Sequence, residues 1–89
     1  MVSYKVRILD DAINDFKRLD TLVIRRISHR IQWLADNIEL IKPFPLKGEL
    51  SDLYKAREGS YRIIYQLIKK ERTIIIHNIG HRSEIYKRR

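Results

Sequence analysis

Eighty-nine residues with 44% hydrophobic and 34% charged side chains describe one folded domain, residues 1–89, with a modest core, and exclude a disordered chain. The absence of cysteine excludes a disulfide framework, a thiolate metal site and a cysteine nucleophile, and no run approaches the roughly 18 apolar residues that span a membrane. A formal net charge of +8 predicts an anionic partner, and Lys5 and Arg7, where a secretion signal needs an apolar run, predict a cytoplasmic protein.

Val2–Leu9 alternates apolar and polar residues, the pattern of a half-buried strand. Asp10 and Asp11 follow as expected N-cap residues, and Ala12, Ile13, Phe16 and Leu19 recur at helical spacing. Asp20 and Thr21 restart the capping signal. Ile24, Ile27, Ile31, Leu34 and Ile38 then form an apolar stripe for a longer second helix, joined to the first by about two residues. Trp33 flanks that stripe and reads as packing, and His29 reads as solvated. Pro43, Pro45 and Gly48 place an irregular loop over 39–50. Three strands are predicted next, Leu53–Glu58, Tyr61–Lys69 and Thr73–His81, with turns at Glu58-Gly59-Ser60 and Lys70-Glu71-Arg72. Tyr61 and Tyr65 share a strand face and are expected in the core; His77 reads as an ordinary strand residue. The final residues allow a tail or one helical turn. The order is β-α-α-β-β-β: an α+β domain with a helix hairpin packed on a mainly antiparallel sheet.

Charge is divided unevenly along this order. Residues 1–46 hold 8 Lys and Arg against 6 Asp and Glu, a net of +2, whereas residues 47–89 hold 11 against 5, a net of +6. Alternate residues of a strand share a face, so Lys55 and Arg57 point the same way, and the turn at Gly59-Ser60 returns Arg62 close to them. His81, Arg82 and Tyr86 are expected to arrive from the following strand. Like charges gathered on one surface repel, so the cluster fits a bound polyanion, for which RNA is the expectation. Lys47, Lys87 and Arg88 extend the same basic surface and are expected to hold RNA. The alternative is a set of ordinary sheet cations paired with Glu49, Asp52, Glu58 and Glu84.

RNA can be cleaved by attack of its own 2′-hydroxyl on the adjacent phosphate. That reaction needs a base, cations that stabilise the phosphorane, and an acid or cation at the leaving 5′-oxygen. Lys55, Arg57, Arg62, His81 and Arg82 supply the residue types. Arginine effectively never deprotonates, so Arg57, Arg62 and Arg82 are charge stabilisers, and Lys55 and His81 are the candidate bases. Tyr86 is placed to stack on a nucleobase, to steer the 2′-hydroxyl, or simply to pack at the sheet edge. Two carboxylates with a histidine at metal-ligand spacing do not occur, so no metal or other cofactor is expected.

Pro45-Leu46-Lys47-Gly48-Glu49-Leu50, Leu53-Tyr54-Lys55-Ala56-Arg57, Gly59-Ser60-Tyr61-Arg62-Ile63-Ile64-Tyr65 and Ile79-Gly80-His81-Arg82 through to Tyr86 together resemble the RelE/ParE toxin superfamily, and RelE more than ParE. The resemblance implies a RelE-like (microbial RNase-like) fold. It also implies a toxin that enters the ribosomal A site and cleaves messenger RNA, leaving a 2′,3′-cyclic phosphate. An acidic, RelB-like antitoxin is the implied partner in a hetero-oligomer. Lys55, Arg57, Arg62, Arg82 and Tyr86 match the family's functional positions, with His81 adjacent or substituting. Some relatives carry lysine where this chain has Arg57, and the chain ends within three residues of Tyr86, leaving little of the C-terminal helix that some relatives possess. An antitoxin is therefore expected to cover the site rather than displace a helix. A ParE-like inhibitor of DNA gyrase and a non-catalytic nucleic-acid-binding module are the alternatives.

Overall fold

A computed structural model describes residues 3–46 and 52–88, with Lys87 and Arg88 described by their main chain. The elements are β1 (Lys5–Ile8), α1 (Asp10–Phe16), α2 (Thr21–Asn37), β2 (Phe44–Pro45), β3 (Tyr54–Glu58), β4 (Tyr61–Ile68) and β5 (Thr73–His81), with 3-10 turns at Lys69–Glu71 and Ile85–Arg88. The five strands form one sheet in the order β1-β5-β4-β3-β2, with β1 parallel to β5 and every other pair antiparallel. The expected α+β arrangement is thus the observed one, with the two-residue β2 added inside the predicted irregular loop.

Asp20 caps α2 as expected: its carboxylate accepts from the Val23 amide at 3.0 Å. Asp10 and Asp11 do not cap α1. Leu9 occupies the cap position, and the two aspartates lie in the first turn, where the helix dipole still favours them. The link between the helices is four residues, 17–20, rather than two, because the chain makes a further turn after Phe16.

The α2 stripe buries Ile27, Ile31, Leu34 and Ile38, each stabilising the fold by about 1.5–3 kcal/mol relative to exposure. It packs with Ala12 of α1 against Ala56, Ile63, Tyr65, Ile74, Ile76 and Ile79 on one side of the sheet. Tyr65 is fully buried, and Tyr61 packs against the same core cluster, partly buried. A second, smaller cluster lies on the opposite side, where Ile85 and Leu46 bury Ile64 and Leu53 packs alongside. The last turn of the chain is therefore seated on the outer face of the sheet.

One irregularity decides where the end of β5 points. Tyr65 pairs with Ile76 but Ile64 pairs with Asn78, so His77 has no opposite residue and β5 bulges. Its ring shares a hydrogen bond of 3.0 Å with the Gln66 side chain. Ile74 and Ile76 face the helices before the bulge, and Ile79 faces them after it. Strict alternation would have sent Ile79 and His81 to the outer face; the extra residue reverses that. Asp15, buried in α1, secures the reversal by accepting the Ile79 amide at 2.8 Å.

Candidate functional site

Glu58 pairs with Tyr61 across a two-residue turn of Gly59 and Ser60. Gly59 has φ +60° and Ser60 does not share a positive φ, the type II′ arrangement that requires glycine first. The turn brings Arg57 and Arg62 into register as directly opposed residues, with Lys55 opposite Ile64 on the same face. That face is the outer one, away from the helices, because Ala56, Ile63 and Tyr65 occupy the helix side.

Arg62 is buried to 9% exposure, and its Nη1 donates to the Gly59 carbonyl at 3.0 Å and the Tyr61 carbonyl at 2.8 Å. The guanidinium is thus held by its own turn, which offsets its repulsion from Arg57. Lys55 Nζ lies 5.8 Å from the centre of the Tyr86 ring, within cation–π range. Ile85, packed on Ile64, is what places Tyr86 there. Arg82 is exposed beside the turn, its amide donating to the Ser60 carbonyl at 2.8 Å. Among the described residues, none of these cations has an ion-pair partner; Glu58 pairs instead with Arg26, at 3.3 Å, toward the helices.

The structure does not bring His81 to this group. His81 pairs with Tyr61, their rings meet edge to face with centroids 5.6 Å apart, and the histidine lines a cleft with Asp15, Arg18 and Glu84. The β5 bulge is the cause. The Ser83 amide donates to His81 Nδ1 at 3.1 Å, and the Ser83 hydroxyl lies 2.8 Å from the same nitrogen. An amide can only donate, so Nδ1 is the acceptor of that bond. His81 closes the turn that leads to Tyr86. Gly80, opposite Arg62, leaves the outer face open at that point.

Lys47 and Glu49 lie outside the described residues, and the 3-10 turn carries the main chain of Lys87 and Arg88 next to Tyr86. Trp33, expected as packing, shares a feature with Arg30 of the same helix. Trp33 is 42% exposed, and the Arg30 guanidinium stacks over its ring at 4.6 Å. Their spacing of three along α2 was the available signal. Both line a cavity of about 320 Å³ between α2, the segment before β2 and the edge of β3. Tyr65 closes its floor, and burial pushes this phenol up to about 12, with Tyr54 adding to the rise and Arg30 opposing it.

The family model for the ParE toxin of type II toxin–antitoxin systems matches residues 6–86. The chain belongs to this toxin family. It is 28% identical to a putative RelE-like toxin protein of Escherichia coli, over 93% of the chain and 90% of that protein. A shorter stretch, 49% of the chain and 51% of the relative, is 39% identical to toxin RelG of Mycobacterium tuberculosis, so that match spans about half of RelG. The toxin–antitoxin complex RelBE2 from M. tuberculosis holds a chain that superposes with a TM-score of 0.84 at 27% identity, covering 94% of this toxin and 97% of that chain. No helix among the described residues is long and apolar enough to cross a membrane.

Proposed function

We propose that this toxin is a ribosome-dependent endoribonuclease that cleaves messenger RNA in the A site. The reading rests on the outer face of β3 and β4, where Lys55, Arg57 and Arg62 gather next to the Tyr86 ring without acidic partners among the described residues. Such a face suits a phosphodiester whose charge rises during reaction. The 2′-hydroxyl loses its proton as its oxygen attacks phosphorus; the bond to the 5′-oxygen breaks and that oxygen takes up a proton. The products are a 2′,3′-cyclic phosphate and a 5′-hydroxyl, and no metal or cofactor enters. Arg57 and Arg62 hold the phosphate oxygens as fixed charges, with Arg82 at the rim. Among the described cations of this face Lys55 alone can lose a proton, and it is the proposed base for the 2′-hydroxyl. Tyr86 stacks on a flanking nucleobase. Lys47, Lys87 and Arg88 are proposed as further RNA-binding cations.

The partner is an acidic antitoxin of RelB type, in keeping with the toxin–antitoxin complexes among the structural relatives. It neutralises by covering the cations. The test is to map new 5′ ends of transcripts after brief expression: cuts in phase with codons support the ribonuclease.

Gyrase inhibition is the second reading, and one observation favours it. With His81 turned toward the helices and arginine at position 57, Lys55 is left as the single candidate base among the described residues of this face, whereas a binding inhibitor needs none. DNA breaks without codon-phased cuts would establish that reading, and neither lesion would leave a nucleic-acid-binding module.

A further inference from the structure

The cavity beside Trp33 is separate in chemistry from the outer face, although it reaches the same strand. Its walls include Trp33, Leu34, Phe44 and Tyr65, and its rim carries Arg30, Lys42, Lys55 and Arg57. Among the described residues no acidic side chain lines it. Arg30, one of the lining residues, has a buried Nε without a hydrogen-bond partner, the one such side-chain atom among the described residues. A buried donor left unsatisfied costs about 1–3 kcal/mol, more for a charged group. Phe44, 71% exposed on a two-residue strand, is likewise uncovered.

We infer that this cavity is a docking pocket for the acidic antitoxin, receiving an apolar side chain whose neighbouring carboxylate bonds Arg30. The inference rests on the antitoxin partnership proposed above and adds the site of contact. The lining donors explain the choice of occupant. Among the described residues that line it, Arg30, Lys42, Lys55, Arg57 and the Trp33 indole offer N–H groups, and the Tyr65 hydroxyl is the lone side-chain oxygen. A carboxylate takes up donors alone. Every nucleobase brings N–H groups of its own, which would find no acidic or amide acceptor among these side chains. The volume, at the small end of ligand pockets, fits one or two side chains rather than a cofactor. Because the pocket ends on β3 at Lys55, Ala56 and Arg57, a segment anchored there lies against the strand that presents the proposed base and one of the proposed phosphate-binding cations. Neutralisation then needs no displaced C-terminal helix.

Trp33 is the one tryptophan of the chain and a direct reporter. The wild-type toxin is titrated with the acidic protein encoded beside it, in a form lacking tryptophan, while Trp33 emission and its quenching by acrylamide are followed. Binding should shift the emission to the blue and protect Trp33. Arg30→Met should weaken binding at least ~30-fold, the effect of unpairing a buried charge. Arg25→Met, on the exposed side of the same helix, should change it by no more than about threefold. Tight binding with unaltered Trp33 quenching overturns the docking pocket and leaves the antitoxin partnership standing. Absence of binding overturns the partnership. A hexanucleotide RNA that protects Trp33 as well as the acidic protein does would assign the pocket to RNA and overturn the inference. The wild-type fluorescence decides the question even where Arg30→Met fails to fold.

Discussion

Replacing Arg62 with alanine removes two things at once. Nη1 bonds the Gly59 and Tyr61 carbonyls, at 3.0 and 2.8 Å, so truncation releases the turn that sets Arg57 against position 62. Hydrogen bonds from a charged group contribute about 1.5–3 kcal/mol each, but Gly59 is exposed and water recovers part of the loss, leaving about 2 kcal/mol for the pair. For a domain of this size that lowers Tm by roughly 8–16 °C. The chemical step should suffer more. An electrostatic donor acting in the transition state is worth roughly 10²–10³ in rate, and its loss falls on the chemical step rather than on ground-state binding. Arg62→Ala should therefore melt earlier, bind ribosomes within about tenfold, and cleave ribosome-bound messenger at least ~100-fold more slowly. Arg62→Lys keeps the charge but not the planar fork, so it should regain part of the rate while remaining destabilised. The assay is single-turnover cleavage on saturating programmed ribosomes, run well below both melting temperatures. A folded Arg62→Ala toxin that cleaves at the wild-type rate would reduce Arg62 to a brace for the turn and refute the proposed placement of the phosphate.

His81→Asn should keep activity within about fivefold, because its Oδ1 can take the Ser83 amide that Nδ1 accepts, whereas His81→Gln should lose tenfold or more; equal losses would show that Nδ1 is not the working atom. Asp15→Ala should cost at least about 2 kcal/mol in a chemical denaturation curve, since it strands the buried Ile79 amide at the β5 bulge. Tyr65 contributes a pH dependence of defined sign. Its folded value of about 12 lies above the ordinary 10.0, so its contribution is complete below pH 10 and is lost as pH rises toward 12. The wild type should lose about 2–3 kcal/mol more than Tyr65→Phe across that interval, and parallel curves would remove the burial argument.

The elements were readable where periodicity is strong. The α2 stripe, the Asp20 cap, the Gly59-Ser60 turn and the three long strands all follow from local patterns, and the turn alone sufficed to bring Arg62 to Arg57. β2 escaped notice because two residues carry no period and one of them is Pro45, which suits an edge strand. The bulge at His77 escaped for a different reason. It depends on Asp15, 64 residues from Ile79 in sequence, and no local rule reveals that contact. That single insertion is why His81 and Lys55 face opposite sides of the sheet. Trp33 looked like packing because it borders the apolar stripe; its exposure reflects the gap that α2 leaves at the edge of β3.

The most direct test uses purified components: toxin, and ribosomes stalled on a defined message with one known codon in the A site. The expected result is a single cut within that codon, leaving a 2′,3′-cyclic phosphate upstream and a 5′-hydroxyl downstream, abolished by adding the acidic antitoxin. An intact message, with toxin that is folded and bound to the ribosome, would contradict the ribonuclease reading.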